Sequence, residues 1–288
     1  MNLLNGIEIL DFTSRLPGPL AGYILSDLGA NVTKIESRLK PDPFSESHLQ
    51  FVSPAFNDWY QQLNQNKSLI QCEFDDPQLH ERVNKADLIV IPKNKFFLDW
   101  IKYLKPKVVL QIAAGEKEFS SLHDLNALAL TSTFNLHLQE NQSPPYLPIA
   151  GLSFGSHIAT TALACLLKFQ QTKLPLTQTV TLKETVELIF EAFKSESFEH
   201  SPKQLHNGAL PCYNIYQSKD HKFLCLAAVE EKYWKLFCEI FNLDLTMEDR
   251  FNKSEEIFEK IRKKFASITA NEISNIIEDK QVCLTFVK

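Results

Sequence analysis

Three short stretches hold the residues able to do acid–base chemistry. "SSLHDLNAL" places His123 just before an aspartate, at the start of a helical apolar pattern. "LAAVEEKYW" places Glu230 at the start of another, where the helix dipole favours a carboxylate. Taken alone, each is a polar residue at a helix N-terminus. The third stretch, "PYLPIAGLSFGSHIATTALACLL", reads as a strand end, a turn holding Gly151, and a buried helix. No Asp or Glu occurs between Gln142 and Glu184. His157, early in that helix, is the ionisable group that could serve in place of a carboxylate there, and it reads by preference as a packed or capping histidine. The eight histidines show no HxxxH spacing, and the six cysteines (Cys72, Cys165, Cys212, Cys225, Cys238 and Cys283) form no CxxC pair. No metal centre is expected, and the cysteines read as reduced core thiols of a cytoplasmic protein. The first strand-to-helix turn, "SRLPGPLAG", is not GxGxxG, so a nicotinamide would lack its phosphate-binding glycines.

The elements that must position these residues follow from periodicity. The chain has 288 residues, 44% apolar and 23% charged, enough for one large domain or two modest ones. A net charge of −5 gives no basic field, so nucleic acid is not an expected partner, though a local basic pocket for an anion fits. No apolar run reads as long enough to span a membrane, and "MNLLNGIEIL" lacks the features of a signal peptide. "GIEILDF" is a buried strand, "GPLAGYILSDLGA" a helix with Pro19 in its first turn and Gly29 at its end, and "NVTKIE" a second strand. The alternation continues through "SLIQCEF", "DPQLHERVNKA", "DLIVIP", "KFFLDWIKYL" and "KVVLQIA". It predicts an α/β fold: a parallel Rossmann-like sheet with helices on both faces.

Helices are also expected over "LHDLNALAL", 156–170 and 181–195, the last with Val186, Ile189, Phe190 and Phe193 at helical spacing. "SESFEHSPKQLHNGALP" reads as a linker. After it come a hairpin, "CYNIYQS" and "KFLCLAAV", turning near Asp220 and His221, then an amphipathic helix, charged helices over 252–279, and a strand-like "VCLTFVK". The chain thus divides into a large α/β domain, 1–196, and a small α+β domain with its linker, 197–288.

The wider strings resemble one family. "LLNGIEILDFTSRLPGPLAGYILSDLGANVTKIES", "LNQNKSLIQCEF" and "HNGALPCYNIYQSKDHKFLCLAAVEEKYWKLFCEIFNL" are similar, in order, to family III CoA-transferases and α-methylacyl-CoA racemases. The turn of Pro17, Gly18 and Pro19 is closer to the racemase branch. The weakest stretch lies around 93–120. The resemblance implies the family III CoA-transferase fold, with CoA bound by the large domain as an acyl-CoA substrate. It implies a homodimer, interlocked in the family, and neither a membrane nor nucleic acid as partner. Racemisation beside a thioester needs one group to remove a proton and another to return it. The resemblance places the base at His123 and its orienting glutamate at Glu230. It offers Arg15, Arg38 and Lys67 for CoA, with Lys40 a further candidate; each also reads as a solvated surface charge.

The resemblance also exposes departures. Family members carry an aspartate where this chain aligns Gly151, and in the transferases that aspartate attacks the thioester. Glycine can neither move a proton nor form an acyl anhydride. "IPKNKFF", "AAGEKEF" and "TKLPLTQTV" are poorer in glycine than their counterparts, and family members continue past "VCLTFVK". Two readings follow: an acyl-CoA racemase-like or CoA-transferase-like enzyme, or a catalytically inactive relative that binds CoA or another protein.

Overall fold

Along β1 (Glu8–Asp11), Ile9 and Leu10 are both buried, and they face opposite sides of a sheet. The same alternation runs through β2 (Asn31–Glu36), β4 (Leu88–Pro92) and β5 (Val108–Ala113). Ile9, Val32, Val90 and Leu110 enter one core; Leu10, Ile35, Ile89 and Val109 enter another. Burial on both faces marks a parallel sheet covered by helices. Together with β3 (Ser68–Gln71) and β6 (Leu176–Thr181), these strands form six parallel strands in the order β3-β2-β1-β4-β5-β6. This computed structural model describes residues 2–45, 52–117, 120–131, 134–140, 143–193 and 205–288. The chain divides into two units, Met1–Lys194 and Ser195–Lys288.

In the first unit, α1 (Pro17–Asp27) is followed by α2 (Ala55–Asn64), α3 (Pro77–Lys85) and α4 (Lys95–Trp100). Next come α5 (Asp124–Ala129), α6 (Phe134–Glu140), α7 (Ile149–Thr172) and α8 (Leu182–Phe190). The apolar residues of α1, α5, α7 and α8 cover one face of the sheet; those of α3 and α4 cover the other. α3 opens as its sequence requires, with the Asp76 side chain accepting from the Gln78 amide and Pro77 at its first position. α1 ends on Gly29, whose φ of +102° suits glycine. Gly18 is needed for space: a Cβ there would lie 2.0 Å from Thr13 Oγ1.

In the second unit, β7 (Tyr213–Gln217) and β8 (Phe223–Ala227) form the expected hairpin, with His221 left-handed at φ +62°. β9 (Leu284–Phe286) pairs antiparallel with β8. α9 (Glu231–Phe241) buries Trp234, Phe237 and Phe241, with α10 (Glu255–Ala266) and α11 (Ala270–Ile277) completing the core.

Several expectations are corrected. No strand end precedes Gly151 among the described residues; the helix begins at Ile149, directly after a tight turn at Pro148 in which the Ile149 amide donates to Leu147 O at 2.9 Å, and Gly151 is buried in the first turn of the helix itself. That helix, 24 residues long, is long and apolar enough to cross a membrane by length and composition; here half of its apolar window is buried. Cys225 and Cys283 are exposed, so only four of the six thiols are core residues. α2, α6 and β6 were not expected from the sequence. The linker residues 195–204 and the Phe193 side chain lie outside the described residues.

Beneath the β1–α1 turn lies a buried charge network. The Lys67 ammonium, with its side chain fully buried, sits 3.1 Å from Asp11 Oδ2 and donates to Pro19 O at 2.8 Å and Asn64 Oδ1 at 2.9 Å. Burial pushes the Asp11 carboxyl up. The Lys67 and Lys34 charges and hydrogen bonds from Thr13 outweigh that push and hold it below the usual carboxylate range. A depressed folded value stabilises the fold above the unfolded pKa of about 3.9 and stops doing so as pH falls through the folded value. Removing the cation strands a buried anion. Lys67→Met should lower the unfolding free energy by about 3–5 kcal/mol in urea titrations at neutral pH. A loss below about 1 kcal/mol, the range of an exposed pair, would mean the pair is not buried in solution.

Candidate functional site

In a sheet of this order the connections leave β1 and β4 in opposite directions. The crevice at their carboxyl ends is where such folds hold ligands. The turn that walls this crevice is fixed from below. Arg15 is left-handed at φ +67°, and its amide donates to both carboxylate oxygens of Asp42 at 3.0 and 2.9 Å. Asp42 is held in turn by Lys34 at 3.1 Å, and the same ammonium donates to the Thr13 carbonyl. Lys34 is completely buried, so these bonds go unchallenged by water.

A cavity of about 630 Å³ opens on this turn, with Arg15, His123, Asp124 and Gly151 in its wall and Phe44 and Phe154 supplying apolar surface. His123 is exposed and stands before α5 in extended backbone, φ −104° and ψ 176°. Its amide donates to Asn126 Oδ1 at 3.2 Å. Asp124 is bonded to α7. Its Oδ1 accepts from the Gly151 amide at 2.6 Å, and the Ala150 amide also donates to this carboxyl. Burial pushes the Asp124 carboxyl above the usual carboxylate range, against the pull of those two amides. Asp124 therefore caps the first turn of α7 from 27 positions away.

At Gly151, beside that carboxyl, the space for a side chain is tight. A Cβ there would lie 3.1 Å from Leu16 Cδ2 and 3.5 Å from Asp124 Oδ1. A second cavity, about 520 Å³, lies alongside, bordered by Glu36, Ser37, Lys40 and Phe97. The two share Thr13, Ser14 and Pro92. Glu36 Oε2 is buried there without a hydrogen-bond partner.

The predicted site residues divide. Arg15, His123 and Gly151 meet in one cavity, and Lys40 borders the adjoining one. Arg38 is exposed, with Nε donating to Gln71 O at 3.1 Å. Lys67 is corrected: its ammonium already has three protein partners in the interior, so it serves Asp11 and no ligand. Glu230 belongs to the second unit, exposed at the N-terminus of α9, with no side-chain capping bond. His157 is a packed histidine, its Nδ1 2.8 Å from Thr185 Oγ1. Sequence reasoning passed over Asp124 and Asp42. The one signal for Asp124 was its place directly after the candidate base.

The fold agrees with the comparisons. The family model for CoA-transferase family III matches residues 4–91 and 113–288, and the chain belongs to this family. A CaiB/baiF CoA-transferase family protein of Caenorhabditis elegans is 24% identical, over 98% of this chain and 85% of its own length. Human alpha-methylacyl-CoA racemase is 21% identical, over 98% of this chain and 77% of its own. A crystal structure of a CAIB/BAIF family protein from Brucella suis superposes with a TM-score of 0.73 at 14% identity, covering 99% of this chain and 83% of that one. The unmatched segment falls within the stretch where the sequence resemblance is weakest.

Asp124 gives a stability test. Asp124→Ala removes the acceptor at the start of α7 and should cost about 1 kcal/mol, whereas Asp124→Asn keeps an acceptor. A raised folded pKa adds stability below the unfolded value, and this is lost as pH rises through the folded one. The Asn variant should therefore gain on the native chain as pH rises above the unfolded value of about 4 in paired urea titrations. A constant difference would show that the carboxyl is not desolvated.

Proposed function

We propose that the chain binds an acyl-CoA thioester along the two adjoining cavities and moves a proton at the carbon next to the thioester. The observation that carries this is the shared wall of Thr13, Ser14 and Pro92 at the carboxyl ends of β1 and β4, with His123 in one of the cavities it joins. A long ligand can lie across two adjoining clefts that share these residues. The apolar wall of the first suits an acyl group, and Arg15 gives it a cation. Lys40 and Arg38 offer cations on the β2 side for phosphates. His123, exposed to the crevice, is the base. Kinship with both the transferase and the racemase named above supports a thioester substrate without choosing the acyl group.

A second reading has its own observation. Gly151, where the resemblance places an acid, has no ionisable atom, which favours a chain that binds CoA without turning it over.

Calorimetry with acetyl-CoA at low and moderate salt comes first, and saturable binding that weakens with salt is expected. Incubating a 2-methylacyl-CoA with the protein in D₂O should then place deuterium at the α-carbon. His123→Gln should slow that exchange by about 100-fold or more. Binding without exchange selects the inactive reading, and no binding removes both.

A further inference from the structure

We propose that Asp124 is the second acid–base group of this site, working from α5 where α7 has only Gly151. This rests on the thioester reading above. Three observations carry it. The Asp124 carboxyl lies 3.5 Å from where a Cβ on Gly151 would stand, so an acid carried by α5 stands beside the position that α7 leaves without one. It lines the same cavity as His123. The two groups differ in setting: His123 is exposed, while the Asp124 carboxyl is held on the amides of α7. One cavity therefore offers a solvent-facing base and a separately anchored acid.

The step balances. His123 takes the α-proton, the C–H electron pair passes onto the thioester as an enolate, and protonated Asp124 returns a proton to that carbon. Asp124 is then ionised and His123 protonated; exchange with solvent resets both. Burial favours this role, because a carboxyl held above its usual range keeps its proton nearer to neutral pH. Arg15 and His123 are the other charged or titratable side chains in the wall of this cavity.

Asp124→Asn is the decisive variant, read as inversion of a single-enantiomer 2-methylacyl-CoA. The amide oxygen still accepts from the Gly151 amide, so a purely structural role predicts native inversion. An acid–base role predicts a fall of about 100-fold or more in inversion, while His123 still places deuterium at the α-carbon and acetyl-CoA binding is kept. Moving the acid completes the test. In Asp124→Asn/Gly151→Asp the new Cβ lies 3.1 Å from Leu16 Cδ2 and 3.5 Å from the side-chain oxygen at position 124. Inversion should recover at least about tenfold over Asp124→Asn, a modest part of the usual general-acid contribution. Native inversion in Asp124→Asn, or no recovery in the double variant, overturns the assignment while leaving the thioester reading intact. A native chain that binds acetyl-CoA yet exchanges nothing overturns both.

Discussion

Everything at the crevice depends on charges that water does not reach. Burying an ion costs several kcal/mol unless a counter-ion and hydrogen bonds restore what solvent gave. Asp11 and Lys67 meet this condition for each other under α1, and Lys34 and Asp42 meet it under the turn above. The result is geometric. Asp42 grips the Arg15 amide with both oxygens and Lys34 grips the Thr13 carbonyl, so a left-handed residue is held in place without glycine. The turn held this way forms part of the wall of both cavities.

A second constraint comes from α7. Its first turn needs acceptors for free amides, and the chain supplies one carboxylate from the start of α5. That bond brings the residue after His123 against Gly151. The short helix and the long helix thus share one carboxyl, and the polar side of the cavity is built around it. The bare backbone at Gly151 and the acid beside it are two aspects of the same packing.

Much of the fold was legible because burial on both faces leaves a plain mark in sequence. Ile9, Leu10, Leu88, Ile89, Val90 and Ile91 are apolar without interruption, as strands covered on both sides must be. β6 was hidden for the opposite reason: it lies at the sheet edge, and four of its six residues, Leu176 to Thr179, are exposed or only partly covered, so its pattern reads as polar. α2 carried a usable signal in Phe56, Trp59, Tyr60 and Leu63, masked by the Asn and Gln around them. At the site, His123 and Gly151 were legible through resemblance. The work of Lys67 was not, because its partner Asp11 is 56 positions away and an exposed ligand cation looks the same in sequence as a buried counter-ion. Asp124 stayed hidden in the same way, since its bond to Gly151 joins elements that nothing local connects.

The wall of Thr13, Ser14 and Pro92 has a use in chemical biology. Two small fragments, each weakly held in one cavity, face each other across three residues. A tether crossing that wall would turn the second contact into an intramolecular one, at an effective concentration on the order of millimolar for a short flexible linker. Because the turn is pinned by buried ion pairs, the span to be bridged is set by the protein and not by the ligand. Linker length then becomes a ruler for the crevice, with affinity peaking where the tether matches the span.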